Sequence, residues 1–267
     1  MLPRVAAGCF AAFLIVWPVR SGLDSGTFDA FSPSAELAPA YNQDDETPTQ
    51  MTALDSAEPI AAPPGAEPFG LTAAPVTSGD VVSKWSGVEA DLRAENEILA
   101  RCRTDIAHCP AAAKNFLDIV AEASALTGRA RVGTINRAVN LAIEPMSDMA
   151  QWGVPDRWSA PLETLATRRG DCEDYAIAKY AALTAAGVAA EDVRLVVVRN
   201  LAVNEDHAVV AVRDGGNWIV LDNRWLKLVE DVDMPKVVPL FVLDDSGVRR
   251  FEPAVSAVRQ TSAPASS

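Results

Sequence analysis

Gly170-Asp171-Cys172-Glu173-Asp174-Tyr175 is the stretch from which the rest of the chain is read. A helix-like run continues from Cys172 to Ala186, with Ala176, Ile177, Tyr180, Ala181 and Leu183 as its apolar surface and Gly187 placed to cap its end. A thiol in the first turn of that helix faces unsatisfied backbone N–H groups and the positive end of the dipole, which favours a thiolate. The flanking acids repel a thiolate, so charge alone does not decide between a nucleophile and a small buried hydrophobe. Downstream, a strand pair offers His207 and then Asp222. Cysteine, histidine and aspartate in that order supply a nucleophile, a base and a carboxylate to orient the base.

Beyond the helix, the β-branched run Val193 to Val198 predicts a buried strand, His207 to Arg213 a second and Trp218 to Leu221 a third. Asp214-Gly215-Gly216-Asn217 is a hairpin signal between the second and third, and Leu240 to Leu243 adds a fourth strand. Before the helix, Val81, Val82, Trp85, Val88 and Leu92 mark one helical face, and Phe116, Leu117, Ile119 and Val120 another, with Pro110 suited to a helix start. Val132 to Ile143 repeats the helical spacing, and its Asn136 and Asn140 share a neighbouring face, suited either to lining a cleft or to capping a tertiary neighbour. Residues 144–169, with Trp152, Trp158, Pro155 and Pro161, read as a structured loop, with a short helix or turn near Leu162 and Leu165 leading to Gly170. Helices first, then a central helix on an antiparallel sheet, is an α+β arrangement.

The run Gly-Asp-Cys-Glu-Asp-Tyr-Ala-Ile-Ala-Lys-Tyr at 170–180 resembles that of the bacterial transglutaminase-like cysteine proteinases, which include the LapG-type periplasmic proteases. Asn-Glu-Asp-His-Ala-Val at 204–209 and Leu-Asp-Asn at 221–223 resemble their histidine and aspartate segments, and the match extends from about Trp85 to about Val242. The resemblance implies a papain-like or transglutaminase-like fold and a cysteine peptidase with the triad Cys172, His207 and Asp222. The backbone N–H of Cys172 is one oxyanion donor at a helix start, and Gln151 and the Trp152 indole are candidates for a second. The family's calcium dependence maps onto Asp171 and Glu173, and then Asp174, since a hard cation prefers oxygen ligands. Ordinary helix-start acids are the other reading of these three, and Asn204, Glu205 and Asp206 are further candidates beside the histidine. LapG-type enzymes cut a surface adhesin and are held by an inner-membrane receptor responsive to cyclic-di-GMP, which sets expectations for substrate and partner. Acyl transfer to an amine, cell-wall amidase activity and a non-catalytic periplasmic binding domain are the competing functions.

Composition bounds these readings. The formal net charge of −13 and pI near 4.6 exclude a basic nucleic-acid footprint, and the 49% hydrophobic content suffices for a core. Residues 1–22 carry Arg4 followed by an apolar run of 13 residues, Val5 to Trp17, expected to be a signal peptide or an N-terminal anchor of an exported, periplasmic protein. Residues 23–79 hold eight prolines and nine acids without lysine or arginine, the composition of a disordered linker, so the proteinase domain is expected at 80–253 and a flexible tail at 254–267. Export permits a short-loop disulfide between Cys102 and Cys109, leaving Cys172 as an odd thiol once residues 1–22 are removed. With two histidines in the chain and no Cys-x-x-Cys, a zinc centre is not expected, nor is an organic cofactor.

Overall fold

The computed structural model describes residues 67–253, so the expected signal segment or anchor, most of the linker and the tail lie outside the described residues. No helix among the described residues is long and apolar enough to cross a membrane. The helices are α1 (Asp80–Thr104), α2 (Ala111–Ser124), α3 (Gly128–Ala142), α4 (Asp148–Gln151), α5 (Pro161–Thr167) and α6 (Cys172–Ala185). The strands are β1 (Ala73–Pro75), β2 (Glu144–Pro145), β3 (Arg169–Gly170), β4 (Val193–Asn200), β5 (Glu205–Asp214), β6 (Asn217–Leu221), β7 (Val229–Glu230), β8 (Val237–Asp244) and β9 (Gly247–Phe251). Seven of the strands form one antiparallel sheet in the order β1-β9-β8-β4-β5-β6-β7, and β2 and β3 pair in parallel. This is the expected α+β architecture.

The central helix is the one that begins at the cysteine. α6 packs on β4 and β5 and is covered by α2, α3 and α5. Every residue from Cys172 to Tyr180 is buried, as befits a helix enclosed on all sides rather than one with a single apolar stripe. Its end closes as a Schellman motif: Gly187 N–H donates to Thr184 O at 3.1 Å and Val188 N–H to Leu183 O at 3.1 Å. Gly187 has φ of 85°, the left-handed conformation that glycine adopts without steric cost.

β4 reads as a continuous β-branched run because both faces of the sheet are covered. Val193, Leu195 and Val197 join the core beneath the helices, whereas Val196 and Val198 join a second cluster with Val209, Trp218, Val242 and Phe251. The turn between β5 and β6 is the expected one: Asp214 pairs with Asn217, and Gly215 and Gly216 both have positive φ. Trp85 ties α1 to the sheet by donating from Nε1 to Asp244 O at 3.0 Å.

Two boundaries differ from the sequence reading. Glu67 to Gly79, assigned to the linker, belong to the fold: β1 extends the sheet edge along β9, Phe69 meets Phe251 edge to face, and Glu67 pairs with Arg194 and Arg249. The physical reason is that β9 offers an unpaired edge and the second cluster an uncovered rim, neither visible in local composition. Residues 144–169 contain the short helix expected near Leu162 and Leu165, which is α5, and also α4, which the loop reading did not include. The Cys102–Cys109 disulfide is present and joins the end of α1 to the segment leading into α2.

Candidate active site

The parallel pair β2–β3 delivers the chain to the helix that carries Cys172, which occupies the first position of α6 after the cap residue Asp171. Amides at that position have no acceptor within the helix, so the Cys172 N–H is a donor at a positive helix end. The approach is close. A Cβ at Gly170 would lie 2.5 Å from Asp174 Oδ2 and 2.7 Å from Asp174 Cβ, so only glycine lets Asp174 fold back under this segment. Cys172 is 3% exposed, and its Sγ lies 3.1 Å from Glu173 Oε2 and 3.4 Å from the Ala208 backbone nitrogen.

Because β5 and β6 run antiparallel, the start of one lies beside the end of the other. Val210 pairs with Leu221, which places His207 and Asp222 at the same end of the sheet. His207 Nε2 and Asp222 Oδ1 are 3.1 Å apart, off the line that a straight hydrogen bond needs. Ala208, next to His207, is the residue whose amide meets the sulfur. Asp222 is also gripped by Arg224: its Oδ1 accepts from the Arg224 backbone N–H at 2.9 Å, and its two oxygens accept from Nε and Nη2 at 3.0, 3.1 and 2.5 Å. Burial alone would raise the Asp222 pKa, but His207 and then Arg224 outweigh it and hold the carboxylate well below its ordinary range. The structure thus brings His207 and Asp222 together and lays the β5 backbone beside Cys172 Sγ.

The acids around Cys172 belong to a larger group. Asp171, Glu173 and Asp174 are joined by Asp148, on α4, and Asp156, in the segment after it. Oxygens of Asp148, Asp171 and Asp174 lie within 4.8 Å of one another, as do those of Asp148, Asp156 and Glu173. Asp148 Oδ1, Asp156 Oδ1, Asp171 Oδ1 and Asp174 Oδ2 are buried without a hydrogen-bond partner among the described residues. The remaining oxygens have specific tasks. Asp174 Oδ1 accepts from Ser159 N–H at 2.8 Å, Asp148 Oδ2 accepts from Arg157 N–H, and Asp156 pairs with Lys84. Burial pushes Asp174 up to about 8, opposed by the Ser159 hydrogen bond and reinforced by Asp171 and Asp148. Burial likewise pushes Asp171 up to about 6 and Glu173 well above its usual range, where the charges of Asp171 and Asp174 add to it. Asp171 makes no side-chain cap bond and hydrogen-bonds Glu173 instead, so capping does not account for the oxygens left without partners. Unpartnered hard oxygens from several segments are instead a donor set that fits calcium.

Asn204, Glu205 and Asp206 do not join it. Asp206 pairs with Arg199, whose Nη1 also reaches Asn204 Oδ1 at 3.4 Å, and Glu205 stands at the first position of β5. Of the oxyanion candidates, Gln151 turns its amide to Thr167 Oγ1 at 3.3 Å, whereas the Trp152 indole N–H is buried with no acceptor among the described residues. Arg157 lies over the Trp152 ring at 4.2 Å and fixes its plane. Sequence reasoning missed Asp148, Asp156 and Arg224. The Ser147 cap before Asp148 and the two-residue spacing from Asp222 to Arg224 were the available signals.

A helix-start cysteine, a strand-borne histidine and a buried aspartate on one α+β scaffold define the cysteine hydrolase class. The chain belongs to the bacterial transglutaminase-like cysteine proteinase family, whose model matches residues 97–233, and is a cysteine protease by that membership. Among solved structures it is similar to Legionella pneumophila LapG, at 21% identity and a TM-score of 0.49 over 58% of this chain and 86% of that one. The calcium-bound form of LapG matches at 21% identity and a TM-score of 0.48, over 60% of this chain and 92% of that one. The EGTA-treated form matches at the same identity and TM-score, over 59% and 86%. No curated protein matches the chain.

Proposed function

We propose that this protease hydrolyses peptide bonds through the triad Cys172, His207 and Asp222. The observation that carries the reading is the 3.1 Å contact of His207 with Asp222 on the strand whose Ala208 amide touches Cys172 Sγ. With Nε2 turned to Asp222, Nδ1 is the ring nitrogen left to take the proton of the Cys172 thiol. The thiolate attacks the peptide carbonyl carbon, and the carbonyl π pair moves to oxygen. The Cys172 N–H stabilises that oxyanion, with the Trp152 indole as second donor. Collapse breaks the C–N bond, His207 protonates the leaving amine, and a thioester remains. His207 then takes a proton from water, whose oxygen attacks the thioester and releases the carboxylate product and the thiol. Asp222 holds the tautomer and stabilises the imidazolium throughout.

Asp171, Glu173 and Asp174, with Asp148 and Asp156, are the residues that would hold calcium. When bound, the ion would add positive charge to this cluster, so that Glu173 and Asp171 oppose a thiolate beside them less. The resemblance to LapG-type enzymes extends the proposal to an exported, periplasmic site of action, a surface adhesin as substrate and an inner-membrane receptor responsive to cyclic-di-GMP as regulator.

The test is proteolysis of exported-fraction proteins by the reduced full-length enzyme, followed by mass spectrometry. Fragments carrying the mass of water, lost in Cys172→Ala, are expected. Undiminished cleavage by that variant rejects the triad, and fragments that carry an added amine in place of water reassign the reaction to acyl transfer.

A further inference from the structure

Asn136 and Asn140 stand one turn apart on α3, both turned toward the loop that follows β6. Asn136 Nδ2 donates to Trp225 O at 3.1 Å and to Leu226 O at 3.3 Å. Asn140 Nδ2 donates to Asp222 O at 3.0 Å and to Trp225 O at 3.0 Å. Each amide nitrogen carries two hydrogens, so both pairs of donors are in use. All the acceptors are carbonyls, which fixes the flip of both amides: nitrogen, not oxygen, must face the loop. Their Oδ1 atoms are buried without partners among the described residues. An apolar residue would fill the space without that desolvation, so what these asparagines contribute is donation to the loop.

The loop needs such donors. The ladder between β5 and β6 ends at Leu221, and beyond it the Asp222 carbonyl has, besides Asn140, a long 3.4 Å bond from the Trp225 N–H. Within the loop, Arg224 clamps the Asp222 carboxylate and lies 5.2 Å from the Trp225 ring centroid. The backbone of Asp222 and of Trp225 is therefore held from α3, and the residue that grips the carboxylate stands between those two anchor points.

We infer that Asn140 is a positioning residue for the reaction: by fixing the Asp222 backbone it sets the direction in which the Asp222 carboxylate meets His207, while Asn136 secures the outer part of the same loop. The inference rests on the proposed triad. Asn136 serves as its internal control, since it makes the same number of bonds to the same loop but none to Asp222.

The experiment compares Asn140→Leu with Asn136→Leu in the full-length chain, measuring kcat, KM and thermal stability. It adds imidazole 15N NMR, in which His207 is one of only two histidines. Similar losses of stability are expected. Asn140→Leu is expected to lower kcat by about 10- to 100-fold with KM within about threefold, whereas Asn136→Leu lowers it less than about fivefold. The His207 ring is expected to hold its proton on Nε2 in the parent and in Asn136→Leu, and to become a tautomer mixture in Asn140→Leu. Equal activity losses in the two variants, or an unchanged His207 spectrum in Asn140→Leu, overturn the inference. If Asn140→Leu does not fold, Asn140→Ala, which leaves room for water at the carbonyls, is held to the same outcomes. Cleavage by Cys172→Ala would reject the triad itself. An inactive Cys172→Ala beside a normal Asn140→Leu rejects the positioning role alone.

Discussion

Asp222 and Asp174 are both essentially inaccessible, at 1% and 0% exposure, yet burial has opposite consequences for them. Around Asp222, Arg224 supplies positive charge and His207 a ring nitrogen 3.1 Å away, and the carboxylate is held ionised. Around Asp174 the neighbours are Asp171 and Asp148, and the group is pushed up to about 8. Burial by itself does not set the charge of a carboxylate; the partners that come with it do. Where the chain provides its own cation the site is electrostatically complete. Where it gathers five acids, with Lys84 paired to Asp156, further positive charge is expected from solution.

The largest effect is expected from breaking the complete side. Asp222→Asn keeps the shape of the side chain but removes the charge that selects the His207 tautomer. Expected is a fall in kcat of about 10³- to 10⁴-fold with little change in KM. Steady-state kinetics on a peptide substrate decide it, and a loss smaller than about tenfold would remove Asp222 from the triad.

The incomplete side gives the next effect, and its sign follows from linkage. The folded pKa values of Asp171 and Asp174, about 6 and about 8, lie above the ordinary carboxylate value of 3.8. The folded state therefore binds more protons between about pH 4 and pH 8, and this part of the stability is present in acid and lost as pH rises through that window. Asp222 does not oppose it there, because its lowered pKa keeps it ionised throughout. In chelator the Tm should thus fall from pH 5 to pH 8. Calcium at about a hundredfold above its dissociation constant adds roughly 2.7 kcal/mol at pH 8, about 5–10 °C for a domain of this size, and much less at pH 5. Asp174→Asn should raise the Tm in chelator and abolish most of the calcium gain. A calcium shift equal at both pH values, or retained in Asp174→Asn, would show that the cluster is not where the ion acts.

How much of this was legible in the sequence differs between the two sides. Cys172, His207 and Asp222 are chemically distinctive residues in an ordered run of motifs, and the hairpin turn at Gly215-Gly216 fixes a register that brings His207 and Asp222 to one sheet end. Asp171, Glu173 and Asp174 were visible because they flank the cysteine. Asp148 and Asp156 were not, since they sit in a stretch with neither helical nor strand periodicity, and only tertiary folding brings them to the acids of α6. The same holds for Glu67 to Gly79. A proline-rich acidic segment carries no apolar period, and its incorporation depends on an edge that β9 provides much later in the chain. Asn136 and Asn140 were recognisable as sharing a face, but their acceptors are backbone carbonyls, which leave no trace in side-chain pattern.

The smallest effect tests whether charge near Asp222 is already sufficient. Lys179 lies two turns along α6 from Cys172, is 1% exposed, and has no hydrogen-bond partner for Nζ among the described residues. Burial lowers its pKa to about 7, with the Asp222 charge only partly opposing the shift. A lysine whose folded pKa lies below its unfolded value makes folding less favourable as pH falls from 10.5, and the handicap is complete below about 7. Lys179→Met replaces the ammonium with an apolar chain of similar length. It should stabilise the protein by about 1 kcal/mol or more at pH 6 and by progressively less toward pH 10, as read by denaturant titration at both values. If the variant is instead less stable at pH 6, the ammonium makes a favourable interaction with Asp222. Arg224 would then share its role, and the contrast between a completed site and an incomplete one would rest on two internal cations rather than one.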